Sequence, residues 1–430
     1  MATKIARTGT SSTNATKFTW SAWVKRANIG SGGMMIYNYL NGDNRAYLQF
    51  QSDDKIYYYD KDGGDIQASL TTTAVYRDPN AFYHICLIGD STDGTQGDRI
   101  QLYINGVRQS MSGTYPDASD SLGMKVHTGT NYHVLGTNSE STSNPFLGIM
   151  SHVHYVDGID YPATTFGSTD ATTGEWKINT SPSITTSDYG NNGYFVLKDG
   201  NSVTDPSGNS HNFTVTSGTL TKTEDCPSSV FCTWNPLVKT PHTLSYYRGN
   251  LDISAEGNSW YSTQGTLGFS QGKFYFECTD LGADSMIGVC NPNIDMSQSL
   301  SINLAGTTVF YNQDGGEMRK DGTATTADYG TFNSTDIMGV AIDMDNKTMS
   351  IYKNNSAIVT NYALSTSITD TAIPYVGLYA SGNLVKFNFG NGYFGTTAVS
   401  SAGTNASNNG IFEYDVPTGY TALSTKGLNL

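Results

Sequence analysis

A pair of carboxylates is the first chemistry to seek, because one acid held protonated beside an ionised one is enough to cleave a glycosidic bond. The best-placed acids in this 430-residue chain are Glu277 and Asp280, in Glu277-Cys-Thr-Asp280. Their spacing puts them on opposite faces of a strand, and Glu-x-Asp-x-Glu, which would align acids on one face, occurs nowhere. Glu277 reads as a rim or hairpin carboxylate. No Gly-x-Ser-x-Gly turn is present to present a serine nucleophile. His152-Val-His154 sets two imidazoles on one strand face, with His127, His133 and Asp157 as further ligands in reach of a metal reading, but solvated histidines account for them. In Asp343-Met-Asp-Asn-Lys347 a lysine stands where a calcium loop needs an oxygen. Gly390-Asn-Gly-Tyr-Phe-Gly395 has dinucleotide-site spacing, but Thr396-Thr-Ala-Val starts no helix to receive a phosphate. Cys226 and Cys232 are too far apart for a redox pair, and Cys86, Cys278 and Cys290 read as buried thiols. No catalytic residue, no metal site and no cofactor is expected.

Aromatic clusters are the remaining candidates. Tyr57-Tyr-Tyr59, Tyr246-Tyr247 and Trp260-Tyr261 could offer flat faces to sugar rings or to a partner protein, since Tyr and Trp give large contact area at small entropic cost. Alternation along a strand turns Tyr58 away from Tyr57 and Tyr59. The ligand-binding candidates are therefore Tyr57, Tyr59, Tyr246, Tyr247, Trp260 and Tyr261, the last four at the entry to the second half, where loops are expected.

The elements that must position these residues are strands. Gly 46 and Tyr 28 accompany abundant Thr, Ser and Asn, a composition suited to short strands and tight turns. Ile100, Leu102 and Ile104 alternate with polar positions and lead into Asn105-Gly106, a hairpin turn; Met349-Ser-Ile-Tyr-Lys followed by Asn354-Asn355 repeats the device. The expected fold is all-β, with two antiparallel sandwiches in tandem at 17–160 and 244–395. Residues 1–16 read as a mobile or partner-ordered arm, 161–243 as a Pro-rich connector carrying strands, and 396–430 as a linker and tail segment.

Charge narrows the partners. Lys+Arg 24 against Asp+Glu 38 leaves a net charge of -14, which repels a phosphate backbone, and no basic run offsets it. Nucleic acid is not an expected partner. No apolar run is long enough for a membrane span or a secretory leader, and five cysteines make no disulfide framework, so folding in reducing cytoplasm without membrane insertion is expected.

Two family resemblances follow from ordered motifs. Phe18-Thr-Trp-Ser-Ala-Trp-Val-Lys-Arg, Tyr83-His-Ile-Cys-Leu-Ile, Asp98-Arg-Ile-Gln-Leu-Tyr-Ile-Asn-Gly and Phe146-Leu-Gly-Ile-Met with Tyr155-Val-Asp-Gly resemble a concanavalin A-like (laminin G-like) lectin domain. Gly272-Lys-Phe-Tyr-Phe-Glu, Ile287-Gly-Val, Gly339-Val-Ala-Ile-Asp-Met-Asp, Ile351-Tyr-Lys-Asn-Asn and Phe387-Asn-Phe-Gly resemble a SPRY domain. Together with Phe166-Gly-Ser-Thr-Asp and Glu175-Trp-Lys, the combination is similar to structural proteins of tailed phages. That resemblance implies a non-enzymatic virion protein, assembled in the host cytoplasm, homo-oligomeric, and in contact with other virion proteins and with host-surface glycan or protein. A purely structural decoration protein of capsid or tail is the alternative, and a degenerate glycosidase the remote one.

Overall fold

The computed structural model describes every residue except 1, 123–130, 139–142, 199–201, 243, 258, 283, 298–303, 313–315, 326, 380–383 and 430. His127 lies outside the described residues. The chain divides into two compact units, residues 1–222 and 223–430. Among the described residues there are strands and three single 3₁₀ turns but no α-helix, as the composition demands.

Unit 1 begins with β1 (Lys4–Gly9), β2 (Lys17–Arg26), β3 (Gly33–Asn41), β4 (Asn44–Phe50), β5 (Ile56–Asp62) and β6 (Asp65–Thr72). It continues with β7 (Tyr83–Asp90), β8 (Ile100–Ile104), β9 (Val107–Arg108), β10 (Met111–Thr114) and β11 (Asn131–Leu135). β12 (Gly148–Asp157), β13 (Gly167–Thr169), β14 (Trp176–Ile178), β15 (Tyr194–Val196) and β16 (Thr214–Ser217) complete it. An eight-stranded sheet, ordered β10-β6-β5-β4-β3-β11-β1-β16, packs on a six-stranded one, ordered β15-β12-β2-β7-β8-β9. Phe18, Trp20, Leu48, Tyr58, Leu87, Leu102 and Tyr155 fill the space between them. The Asn105-Gly106 turn closes β8 on β9 with φ of +49° and +76°, and a Cβ on Gly106 would meet the Trp176 ring at 2.4 Å, so glycine is needed there twice over.

Residues 1–16 are not a free arm. β1 is inserted between β11 and β16, with Ile5 opposite Leu135 on one side and Val215 on the other. The turn after it is held by buried side chains: Asn192 accepts the Thr10 N–H at 2.7 Å, and Asp157 accepts the Thr13 N–H at 3.0 Å. Polar composition misled here, because the segment gains its order from backbone pairing rather than from an apolar core of its own. Nor is the stretch after 160 only a connector. Ala163, Phe166, Ile184 and Tyr189 cover the outer face of the six-stranded sheet, packing on Cys86, Ile88, Val156 and Phe195. This cover explains why β2 is buried on both faces although half of its residues point away from the core.

Unit 2 carries β17 (Ser245–Tyr247), β18 (Asp252–Ser254), β19 (Trp260–Gln264), β20 (Lys273–Thr279), β21 (Ser285–Cys290), β22 (Thr307–Tyr311), β23 (Glu317–Lys320) and β24 (Thr323–Ala324). β25 (Met338–Asp343), β26 (Thr348–Lys353), β27 (Ser356–Ala363), β28 (Ile373–Tyr379), β29 (Leu384–Asn388), β30 (Tyr393–Phe394), β31 (Thr397–Ala398) and β32 (Thr421–Ala422) follow. The larger sheet is ordered β17-β18-β29-β20-β25-β26-β27, with β32 joined parallel to β20; the smaller is ordered β19-β28-β21-β22-β23-β24. Trp234, Phe276, Phe310, Val340, Ile351 and Phe387 lie in the core between them. The Asn354-Asn355 hairpin forms, both residues at positive φ. Residues 396–430, read from sequence as a linker and tail, fold back on this unit: Phe412 and Ala422 are fully buried against Phe231, Tyr275 and Ala341.

Candidate binding surface on the tyrosine-bearing sheet

In unit 1 the outer face of the other, eight-stranded sheet is covered at Met34, Tyr37 and Val134 and partly exposed from Tyr39 and Tyr47 to Tyr57 and Tyr59. Strand alternation sends Ile36, Leu48, Ile56 and Tyr58 into the core and turns Tyr37, Tyr39, Arg45, Tyr47, Tyr57 and Tyr59 outward. Register then lines them up. Val134, Tyr37, Tyr47, Tyr59 and Ser69 are successive cross-strand partners on β11, β3, β4, β5 and β6, and Tyr132, Tyr39, Arg45 and Lys61 form the adjacent row.

Because neighbouring strands lie about 4.8 Å apart, rings at these positions must stack on each other. Ring centroids are 5.6 Å apart for Tyr37–Tyr47, 5.1 Å for Tyr47–Tyr59 and 5.7 Å for Tyr37–Tyr39, all within 26° of parallel. Tyr57 meets Tyr47 edge-on at 5.9 Å, and its hydroxyl is 3.0 Å from Ser69 Oγ. The Arg45 guanidinium lies 5.7 Å from the Tyr59 ring centre, and Tyr132 is 44% exposed at the end of its row. The stacked rings therefore spend their faces on one another, with Tyr37 buried and Tyr47, Tyr57 and Tyr59 left half-buried. This corrects the flat-face expectation for Tyr57 and Tyr59. Burial lifts the Tyr47 phenol far above its ordinary value, so its hydroxyl remains neutral. The surface can exchange hydrogen bonds with a polyol or a peptide and carries the Arg45 cation beside Lys61, which pairs with Asp43 at 3.0 Å. It holds no nucleophile.

Tyr37, Tyr39, Arg45, Tyr47 and Tyr132 were not singled out from sequence, although Tyr37-Asn-Tyr39 and Tyr57-Tyr-Tyr59 share the period-two spacing that carries the surface. The other four candidates separate. Tyr261 is buried in the core of unit 2, and Tyr246 packs against that core with its hydroxyl donating to Thr263 Oγ1 at 3.1 Å. Tyr247 is exposed on β17, in the larger sheet; Trp260 lies on β19, in the smaller one, against Tyr311 and Tyr379 at 5.9 and 5.4 Å, with the Arg319 guanidinium 5.1 Å from the Tyr311 ring centre. The two pairs make no common surface.

One arrangement in unit 1 looks catalytic and is not. Ser21 Oγ lies 2.8 Å from His84 Nε2, the geometry of a nucleophile and its base. His84 Nδ1, however, accepts a hydrogen bond from the Trp176 indole at 3.0 Å. An indole only donates, and burial lowers the imidazole to about 3, keeping it neutral, so its single proton sits on Nε2 and is donated to Ser21. The base has no lone pair facing the serine. A fluorophosphonate probe is accordingly expected to leave Ser21 unlabelled at pH 7–8 under conditions that label trypsin; stoichiometric adduct on Ser21 by mass spectrometry would overturn this tautomer.

Of the described histidines of the metal reading, His133 and His154 are buried rather than solvated; His152 and His154 lie within hydrogen-bond distance of neighbouring hydroxyls, and neither ring nitrogen of His133 has a hydrogen-bond partner among the described residues. His154 Nδ1 lies 2.8 Å from the Tyr189 hydroxyl and its ring stacks on Phe195 at 3.8 Å, His152 Nδ1 lies 2.8 Å from Ser151 Oγ, and His133 is buried against Tyr155 and Tyr194. A bulge between Ser151 and His154 breaks the regular alternation assumed for that pair. Among the described residues no group of three or more His, Cys, Asp or Glu could hold a metal ion. Asp343 caps its hairpin through Asn346 and pairs with Lys273 at 2.9 Å. All five cysteines are free thiols, with Cys226 half-buried and the rest buried. Glu277 is neither on a rim nor in a hairpin; it is fully buried in the middle of β20.

Comparison with known proteins agrees with the two folds. Residues 2–159 match the family model described as the concanavalin A-like lectin/glucanases superfamily, and residues 273–392 match that of the SPRY domain. The chain thus joins a concanavalin A-like sandwich to a SPRY-like one. Solved structures similar to it include the SPRY domain of human HERC1, at 15% identity and TM-score 0.31 over 36% of this chain and 96% of that one. The TRIM65 PSpry domain is similar at 14% identity and TM-score 0.31, over 36% of this chain and 91% of that one. No curated protein matches the chain.

Proposed function

We propose that the protein is a non-enzymatic recognition component of a tailed-phage particle, and that it attaches to host-surface glycan or protein through the tyrosine-bearing face of unit 1. The observation that carries the binding reading is the cluster of Tyr39, Arg45, Tyr47, Tyr57 and Tyr59, half-buried on the outer face with Tyr132 exposed beside it and the buried Tyr37 behind it. The lectin-like and SPRY-like domain types support a binding role. The phage assignment rests on the resemblance of the tandem arrangement and its linking motifs. Hydrogen bonding through phenol edges gives modest affinity per site, so a homo-oligomer on a particle would multiply it through effective concentration. The net charge of -14 limits non-specific attachment to anionic envelopes. Excess soluble protein should reduce adsorption of particles to host cells. If adsorption is unaffected while particles lacking the protein lose stability, the decoration role replaces recognition.

A further inference from the structure

The C-terminal segment of unit 2 covers a buried acid. Glu277 points from β20 to the outer face of the larger sheet, where the chain returns at 411–422. Its Oε1 accepts the Tyr414 N–H at 3.0 Å and the Tyr275 hydroxyl at 3.2 Å; its Oε2 accepts the Glu413 N–H at 2.9 Å and Asn388 Nδ2 at 3.3 Å. Asn388 also donates to the Ile411 carbonyl at 3.0 Å, so the same two side chains grip the segment from both sides. Tyr275 can reach the acid because position 339 is glycine: a Cβ there would come within 2.4 Å of the phenol oxygen. Thr421 and Ala422 then pair in parallel with Phe274 and Tyr275.

None of the four partners is a cation. We propose that docking of residues 411–422 is linked to protonation of Glu277, so that the segment is held more tightly in mildly acidic than in mildly basic solution. Both protonation states can be accommodated, because the Tyr275 hydroxyl can rotate from donor to acceptor. Burial lifts the carboxyl from its ordinary range to about 7, and the four donors pull it back only in part. The docked state therefore binds more protons than the open one between about 4.5 and about 7. Docking weakens as pH rises through that window and is level above it.

The other titratable groups around the contact have partners of their own. Glu413 accepts the Ser400 N–H at 2.6 Å, Asp415 accepts the Thr404 N–H at 2.6 Å, Lys386 pairs with Asp280 at 2.6 Å, and Lys353 pairs with Asp336 at 3.1 Å. Lys273 pairs with Asp343, and the Tyr275, Tyr352, Tyr414 and Tyr420 phenols and the Cys278 thiol are all raised by burial, away from neutrality. Asp252 on the same sheet is lifted by burial to about 6 despite Arg248 at 2.5 Å, and it supplies the rival source of a slope.

Amide hydrogen exchange of Glu413 and Tyr414 in the full chain tests the linkage, with rates corrected for the intrinsic pH dependence of exchange. Protection should fall roughly fifty- to a hundredfold between pH 5 and 8, and Glu277→Gln should flatten that change. Tyr275→Phe, which removes one donor to the ionised form, should move the midpoint upward. Flat protection in the native chain overturns the proposal, as does an unchanged slope in Glu277→Gln, which would assign the proton to Asp252. If Glu277→Gln does not fold, a midpoint left in place by Tyr275→Phe overturns it equally.

Discussion

Deleting residues 1–9 is expected to unfold unit 1 rather than trim a tail. β1 pairs over five positions with β11 and over three with β16, so its loss opens two inner edges of the eight-stranded sheet. It also removes Ile5, 3% exposed in the core, and the Arg7 contact to the Asn192 carbonyl at 3.1 Å. With the lost backbone bonds, the cost is on the order of 5 kcal/mol, as large as the whole stability of many domains. Thermal unfolding of the deleted chain should lack the transition of unit 1 while the transition of unit 2 persists. An unchanged melting profile would mean that β1 contributes nothing to the sheet.

The second large effect concerns recognition. Tyr47 stands at the centre of the outer face, stacked between Tyr37 and Tyr59 and touched edge-on by Tyr57. Replacing Tyr47 and Tyr59 together by Ala takes away two hydroxyls and lets the neighbouring rings lean into the gap, so both the contact and its preorganisation are lost. Central tyrosines in binding surfaces commonly contribute about 2 kcal/mol each, and the double variant should lose roughly several hundredfold in affinity for host cells. The fold should survive, because Ala46, Leu48, Ile56 and Tyr58 on the opposite face of the same strands are untouched. Each lost stacking pair costs only about 1 kcal/mol. Circular dichroism at 25 °C should be that of the native chain. Undiminished adsorption would remove this face from the function.

Alternation and hairpin turns made the sandwiches legible: the Asn105-Gly106 and Asn354-Asn355 turns fall where the residues placed them, and Tyr58 faces inward between Tyr57 and Tyr59. What stayed hidden depends on register between distant strands. Tyr37 and Tyr47 belong with Tyr59 only once β3, β4 and β5 are aligned, and the period-two signal of one strand says nothing about its neighbour. β1 looked like an arm because its partners begin at residues 131 and 214. Glu277 looked like a rim acid because the backbone N–H groups that satisfy it lie 136 and 137 residues further on. Ser21, His84 and Trp176 meet on the covered face of unit 1, and no local pattern joins them.

The measurement closest to the central claim is binding of the 430-residue chain to an array of bacterial surface polysaccharides, set beside the variant carrying Arg45→Ala, Tyr47→Ala and Tyr59→Ala. The native chain should bind a restricted set of glycans without shortening them, and the folded variant should lose that binding. Equal binding by both proteins, or release of new reducing ends from a bound glycan, would contradict a non-catalytic recognition surface built on these tyrosines.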